Sequence, residues 1–385
     1  MKASANCLLG LLLVIGSAAT AQQPCSGPPK TSVIDWTQFR FDPCHTGFNP
    51  YELILSPSTV GNLVVDWTYT TGSVVYSSPA VVNGVVYVGS VDDNVYALNA
   101  STGAKLWSFT TQGSVYSSPA VVNGVVYVGS NDNNVYALNA STGVKLWSYS
   151  TGGYVQSSPA VSNGVVYVGS EDDNVYALNA STGAKLWSFH TGNYVDSSPA
   201  ISNGVVYVGS DDNNFYALDA STGARLWIYM TGALVDSSPA VANGLVYVGS
   251  VDGNLYALNA STGAKLWSFR YEGDYYVESS PAVANGVVYF HVLLSDHAFY
   301  ALNAQTGAYL WSFDDAGGIS SPVVANGVVY DCTNFGIWAL DASTGAVLWS
   351  YHIFQGEESS PIIANGVLYV GSDDNNLYAF HLPNH

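Results

Sequence analysis

Apolar and polar positions alternate along this chain in short bursts, and the bursts recur. In the stretch from Ser117 to Trp147, Pro-Ala-Val-Val is followed by Asn-Gly, then Val-Val-Tyr-Val-Gly-Ser, then an Asp/Asn cluster. Val-Tyr-Ala-Leu, Asn-Ala-Ser-Thr-Gly and Lys-Leu-Trp complete the stretch. Each burst has the length of a strand, and each interruption is a turn signal. Asn-Gly between apolar runs suits a type I′ hairpin turn, whose two central residues need φ > 0. The pattern predicts four antiparallel strands in about 40 residues. No segment after residue 60 shows a helical period.

The unit repeats eight times, with Ser-Ser-Pro starting at Ser77, Ser117, Ser157, Ser197, Ser237, Ser279, Ser320 and Ser359. Tryptophan recurs with it, at Trp67, Trp107, Trp147, Trp187, Trp227, Trp267, Trp311 and Trp349. Trp67 lies in a fourth strand that no first three precede. The last copy, from Ser359 to Leu382, has three strands and no fourth. The N-terminal strand therefore completes the C-terminal unit, so that no sheet edge stays open. The fold predicted is all-β: an eight-bladed propeller of four-stranded antiparallel blades over 62–385.

Ala97-Leu-Asn-Ala-Ser-Thr-Gly-Ala-Lys-Leu-Trp107 matches the tryptophan-docking motif of pyrroloquinoline-quinone-type (PQQ-repeat, WD40-like) propellers. The chain resembles that superfamily over about 33–385. The resemblance covers quinoprotein dehydrogenases and the non-enzymatic outer-membrane assembly factor of the BamB type. It implies that each Trp docks on the neighbouring blade. It leaves activity open, because a fold does not imply a function.

Met1–Ala21 reads as a signal peptide, with Lys2, an apolar core and Ala19-Thr-Ala21 as cleavage site. That core is too short to be a transmembrane segment. No lipobox precedes Cys25, so a periplasmic or secreted protein is expected. Residues 22–61 form a non-repeat lead segment whose aromatics, Trp36, Phe39, Phe41, Phe48 and Tyr51, are expected to pack on the propeller. In an oxidising compartment a Cys25–Cys44 disulfide is a candidate staple, leaving Cys332 over.

Charge changes the picture most. Lys and Arg number 9 and Asp and Glu 28, for a formal net charge of −19. This balance excludes nucleic acid as a partner. Most of the acidic residues fall at the second-to-third-strand turns and blade crossovers, on one face. The Asp-Asp-Asn turns on that face are read as hairpin caps. The position before Ser-Ser-Pro opens the innermost strand at the channel mouth. It holds Tyr76, Tyr116, Gln156, Asp196, Asp236, Glu278, Ile319 and Glu358 in ring order. Crowded carboxylates raise one another's pKa or recruit a cation. The mouth is thus the candidate binding site, for Ca²⁺ or for a basic segment of a protein partner.

No catalytic residue is assigned. The resemblance makes PQQ with Ca²⁺ the alternative, in a sugar or alcohol dehydrogenase. That quinone carries three carboxylates and needs cations. Five of the basic residues (Lys105, Lys145, Lys185, Arg225, Lys265) sit on outer strands, and only Arg40 and Arg270 remain near the propeller elsewhere. The reading is therefore a monomeric binding scaffold without a cofactor. The irregular hairpins at 290–299 and 331–337 are read as drift, and His291 and His297 as surface histidines. Asn99, Asn139, Asn179 and Asn259 start formal glycosylation sequons but are read as turn caps.

Overall fold

The computed structural model describes residues 35–270, 275–293, 299–314, 320–353 and 359–383. The signal peptide, Cys25, His297, Ile319 and Glu358 lie outside the described residues. Eight sheets form eight blades. In blade 1 the strands are Ala80–Val82, Val85–Gly89, Asn94–Asn99 and Lys105–Thr110, from the channel outward. Blades 2 to 7 repeat this order, beginning at Ala120, Ala160, Ala200, Ala240, Ala282 and Val323. Blade 8 contains Ile362–Ala364, Val367–Gly371 and Asn376–His381, and Val64–Thr70 pairs antiparallel with the last of these as its outer strand. The ring is closed by the N-terminal strand, as the repeat count predicted.

Local chemistry explains the hairpins. Asn83 and Gly84 have φ of 51° and 75°, and every later Asn-Gly pair is likewise positive. Asn tolerates that region and Gly enters it freely, so the dipeptide sets the turn. The Asp/Asn turns have a different task. One Asp92 oxygen, Oδ2, accepts from the Tyr96 hydroxyl at 2.6 Å and from the Gly72 amide at 2.6 Å. Asp132, Asp172, Asp212 and Asp252 repeat both bonds, each pinning the crossover from the blade before. Burial pushes the Asp92 carboxyl up, but hydrogen bonds from Tyr96, Gly72 and Asn94 outweigh it and leave it lowered.

Three hydrogen-bonded rings tie the blades together. At the outside, each indole N–H donates to a carbonyl of the next blade: Trp67 to Ala100, Trp107 to Ala140 and so on, at 2.9–3.2 Å, until Trp349 reaches Leu63. The indole lies flat over a glycine. A Cβ on Gly223 would stand 2.7 Å from Trp187 Cε3, so only glycine lets the ring dock. Around the channel, the amide of the second Ser of each Ser-Ser-Pro donates to the hydroxyl of its successor, from Ser78 to Ser118 and finally from Ser360 back to Ser78.

The third ring was not foreseen. Trp36–Asn49 winds across the channel and visits the inner strands in order. The amides of Val81, Val121, Val161, Ile201, Val241, Val283 and Val324 donate to Trp36 O, Thr37 O, Gln38 Oε1, Pro43 O, Cys44 O, Thr46 O and Gly47 O. Asn49 Nδ2 completes the circuit on Ile363 O at 2.8 Å. Phe48–Asn49 adds a short parallel strand to blade 7. The segment therefore works as a strap, and its aromatics do pack: Trp36 and Phe41 are buried at an edge-to-face 5.1 Å. Cys44 is disulfide-bonded and fully buried.

Trp187 is nearly buried and bonded to Ala220 O. Trp187→Ala is expected to cost about 3–5 kcal/mol. Urea unfolding measures this, and an unchanged midpoint would mean that the indole does not clamp the two blades.

Candidate functional site

Each inner strand runs from the position before Ser-Ser-Pro to the Asn-Gly turn. The strap binds five residues along it, roughly 16 Å from the mouth. The strap therefore crosses the channel near its turn end, away from the acidic end.

At that rim the two halves differ. On one side the Tyr76 and Tyr116 rings stack at 5.4 Å with 17° between their planes. On the other, Gln156 Nε2 donates to Glu171 Oε1 at 2.8 Å. Asp196, Asp211, Asp236 and Glu278 continue that arc over the next blades, linked by mutual charge effects. The structure thus brings together the predicted Gln156, Asp196, Asp236 and Glu278. It also adds two residues first assigned to the outer turns, Glu171 and Asp211. These follow Gly-Ser directly, one position before the Asp that pins the crossover. The signal was in the repeat itself: that position reads Val91, Asn131, Glu171, Asp211 and Val251, whereas the next is Asp in most copies.

Burial and like charge act in the same direction here. Burial, with the charges of Glu171 and Asp236, pushes Asp196 up to about 7. Asp211 is pushed up to about 8 by burial, then by its hydrogen bond to Asp236 and the surrounding negative charge. Burial raises Glu171 against the Gln156 amide, and burial with Asp236 raises Glu278. The Oδ1 atoms of Asp196, Asp211 and Asp236 are all buried without a hydrogen-bond partner. A buried acceptor left in that state costs about 1–3 kcal/mol. Among the described residues these three oxygens have no donor, although Gln156 serves Glu171.

Arg40 is not at the mouth. It belongs to the strap, is 2 % exposed, and donates through Nη1 to Pro322 O at 2.5 Å. Burial pulls its guanidinium down to about 9, while Asp331 and Asp42 hold the charge in place. Arg270, on the rim of blade 5, is exposed. Among the described residues no three His, Cys, Asp or Glu side chains converge as metal ligands.

One sequence expectation needs correction. His291 is 1 % exposed, and its Nε2 is bonded to buried Asp331. It is not a surface residue, and its partner belongs to the irregular hairpin of the next blade. A second concavity, a cleft of about 680 Å³ between blades 8 and 1, holds Asp66 and His381 at 3.8 Å. It gathers none of the predicted mouth residues.

The carboxyls predict a pH dependence. In the unfolded chain Asp196 and Asp211 ionise near 4, whereas in the fold they keep their protons to about 7 and 8. Between those values the folded state binds more protons, so stability falls as pH rises. Calorimetry from pH 5 to 8.5 should show Tm falling. Asp196→Asn with Asp211→Asn should flatten that fall and raise Tm at pH 8. An equal slope in the variant would remove these groups as its cause.

Comparisons with known proteins agree on the fold. A sequence search of curated proteins finds no match. BamB from Moraxella catarrhalis is similar at 19 % identity and a TM-score of 0.72, covering 83 % of this chain and 99 % of that one. Quinohemoprotein alcohol dehydrogenase from Comamonas testosteroni is similar at 18 % identity and a TM-score of 0.77, covering 91 % and 82 %. The computationally designed Ika8 protein matches at 18 % identity and a TM-score of 0.72, covering 81 % and 97 %. An assembly factor, a dehydrogenase and a designed protein on one architecture leave the activity undecided. A profile described as outer membrane protein assembly factor BamB matches residues 58–157, and one described as beta-alanine-activating enzyme, beta-propeller, matches 121–382. The second match spans well over half of the sequence, and the chain, a PQQ-like β-propeller, belongs to the family of that beta-alanine-activating enzyme propeller.

Proposed function

We propose that this propeller is a non-enzymatic binding scaffold of the bacterial envelope or exterior, and that its acidic mouth receives a basic segment of a protein partner. The observation that carries the reading is the set of three buried carboxylate oxygens, on Asp196, Asp211 and Asp236, without a donor. Lysine and arginine side chains are donors only, and bonds from a cation to a carboxylate are among the stronger ones. The stacked Tyr76–Tyr116 pair on the opposite rim offers an aromatic surface to the same segment. Similarity to BamB, which a family profile describes as an outer membrane protein assembly factor, supports a binding role in the envelope. Among the described residues no helix is long and apolar enough to cross a membrane.

Similarity to quinoprotein dehydrogenases keeps the alternative of a PQQ- and Ca²⁺-dependent enzyme. The carboxylate rim speaks against it, because it would repel the quinone.

Titration of the mature protein with an octa-arginine peptide at low salt tests the reading. Saturable binding is expected, weakening steeply with added salt. Because a cation favours the ionised carboxylates, binding at pH 7 should release protons, seen as heats that depend on the buffer. Asp196→Asn with Asp236→Asn should weaken it at least about tenfold, or 1.4 kcal/mol. No binding at any salt would sink the proposal. Saturable quenching of tryptophan fluorescence by PQQ with Ca²⁺ would replace it with the dehydrogenase.

A further inference from the structure

The outer strand of each blade faces solvent, and its alternate positions follow one chemical rule. In blade 1 they are Leu106, Ser108 and Thr110, all exposed. Six of the other blades likewise have Ser or Thr at the second position and a polar residue at the third. Blade 4 is the exception. Its outer strand, Arg225–Met230, presents Leu226, Ile228 and Met230 at 52 %, 41 % and 75 % exposure. The first five blades are otherwise near-copies, so a continuous apolar stripe distinguishes this strand alone. Contiguous exposed apolar surface marks an interaction site.

The strand is also an edge. It pairs with Asn214–Asp219, and among the described residues no strand pairs with its other side. An edge left with unpaired main-chain groups is a template for another strand, and proteins usually blunt it with charge. Here the one charge on the strand is Arg225, at the turn end.

The other end of the stripe leads to the acidic mouth. Met230 closes the strand, and Thr231–Val235 carries the chain without a charge to Asp236 on the rim. The Thr231 amide donates to Asn213 O at 2.9 Å and the Gly232 amide to Asp252 Oδ2 at 2.6 Å, which holds this crossover in place. Asp196 opens the innermost strand of the same blade, three strand spacings or roughly 14 Å from the outer one.

We infer that the outer edge of blade 4 is the second half of the partner's docking surface. The partner adds an extended strand to Arg225–Met230, packs alternate apolar side chains beside Leu226, Ile228 and Met230, and sends its basic residues into the carboxylate mouth. The inference rests on the basic-segment reading of the mouth and names the form of that segment. Strand addition fills the open main-chain groups, and every second side chain of the added strand falls on the stripe. Antiparallel pairing is the more stable kind. Because Arg225–Met230 runs towards the mouth, the added strand runs away from it, and its basic residues precede its apolar ones. About four extended residues bridge the gap between them. Charge decides between a partner and a second copy of this chain. Two copies joined edge to edge would each bring a net charge of −19, whereas a strand with a basic end meets opposite charge.

The probe is the peptide Arg-Arg-Gly-Ser-Gly-Ser-Val-Thr-Val-Thr-Val, and its control has serine for each valine. The mature protein is expected to bind the probe at least about tenfold more tightly than the control. Ile228→Ser with Met230→Thr gives blade 4 the residues that blade 1 carries at Ser108 and Thr110. This double variant is expected to fold, to lose the difference between the two peptides and to bind octa-arginine as the wild type does. Hydrogen exchange should show the amides of Arg225–Met230 protected by the probe and not by the control. Equal affinities for probe and control, or a difference that survives in the double variant, overturn the inference. So does a wild-type dimer in sedimentation that the double variant abolishes, since the edge would then be a contact between copies. Octa-arginine binding in any of these cases leaves the reading of the mouth standing, and its absence removes that reading and this inference together.

Discussion

The innermost strand of every blade is a sheet edge, and an edge that faces a narrow channel cannot leave its N–H groups bare. Water is scarce there, and a buried amide without a partner costs about as much as a lost hydrogen bond. Much of this structure answers that one constraint. Ser-Ser-Pro supplies a ring of hydroxyls that each take the amide of the preceding blade. The strap supplies a second ring of acceptors farther along the same strands. With both in place the inner edges are satisfied from blade to blade, and the repeat closes without an open edge. Proline fits the scheme because it has no N–H to satisfy.

The same constraint divides the acidic residues into two populations. One Asp in most blades spends its carboxylate on a tyrosine hydroxyl and a crossover amide, and it is a joint rather than a site. At the mouth the carboxylates gain no such donors. Glu171, Asp196, Asp211, Asp236 and Glu278 lie over adjacent blades; burial and neighbouring negative charge raise the proton affinity of Asp196, Asp211 and Glu278, and Oδ1 of Asp196, Asp211 and Asp236 is left unfilled. The difference is one of geometry, since the side chains are chemically alike. It is also why the mouth of a strongly acidic protein is poised for a cationic guest while its outer turns are not.

The strap decides what kind of concavity this propeller has. Trp36–Asn49 crosses the channel near its turn end, away from the carboxylate rim. The strap also takes Arg40 away from any ligand at that rim. A cation counted from the sequence as available is in fact consumed inside the fold.

Blade number, strand order, the Asn-Gly turns and the closure of the ring were all legible in the sequence, because each rests on local chemistry repeated eight times. Part of the mouth was legible too: the position before Ser-Ser-Pro pointed to Tyr76, Tyr116, Gln156, Asp196, Asp236 and Glu278, whereas Glu171 and Asp211 were hidden among look-alike turn acids. The path of the strap was not legible, since all but one of the acceptors it offers the inner strands are backbone carbonyls, which carry no sequence signature. Nor was the burial of His291 against Asp331, which are 40 residues apart and meet only when blades 6 and 7 stand side by side. A repeat encodes its own unit and its nearest neighbours. What crosses the ring is set by tertiary structure, because only closure brings those residues within reach.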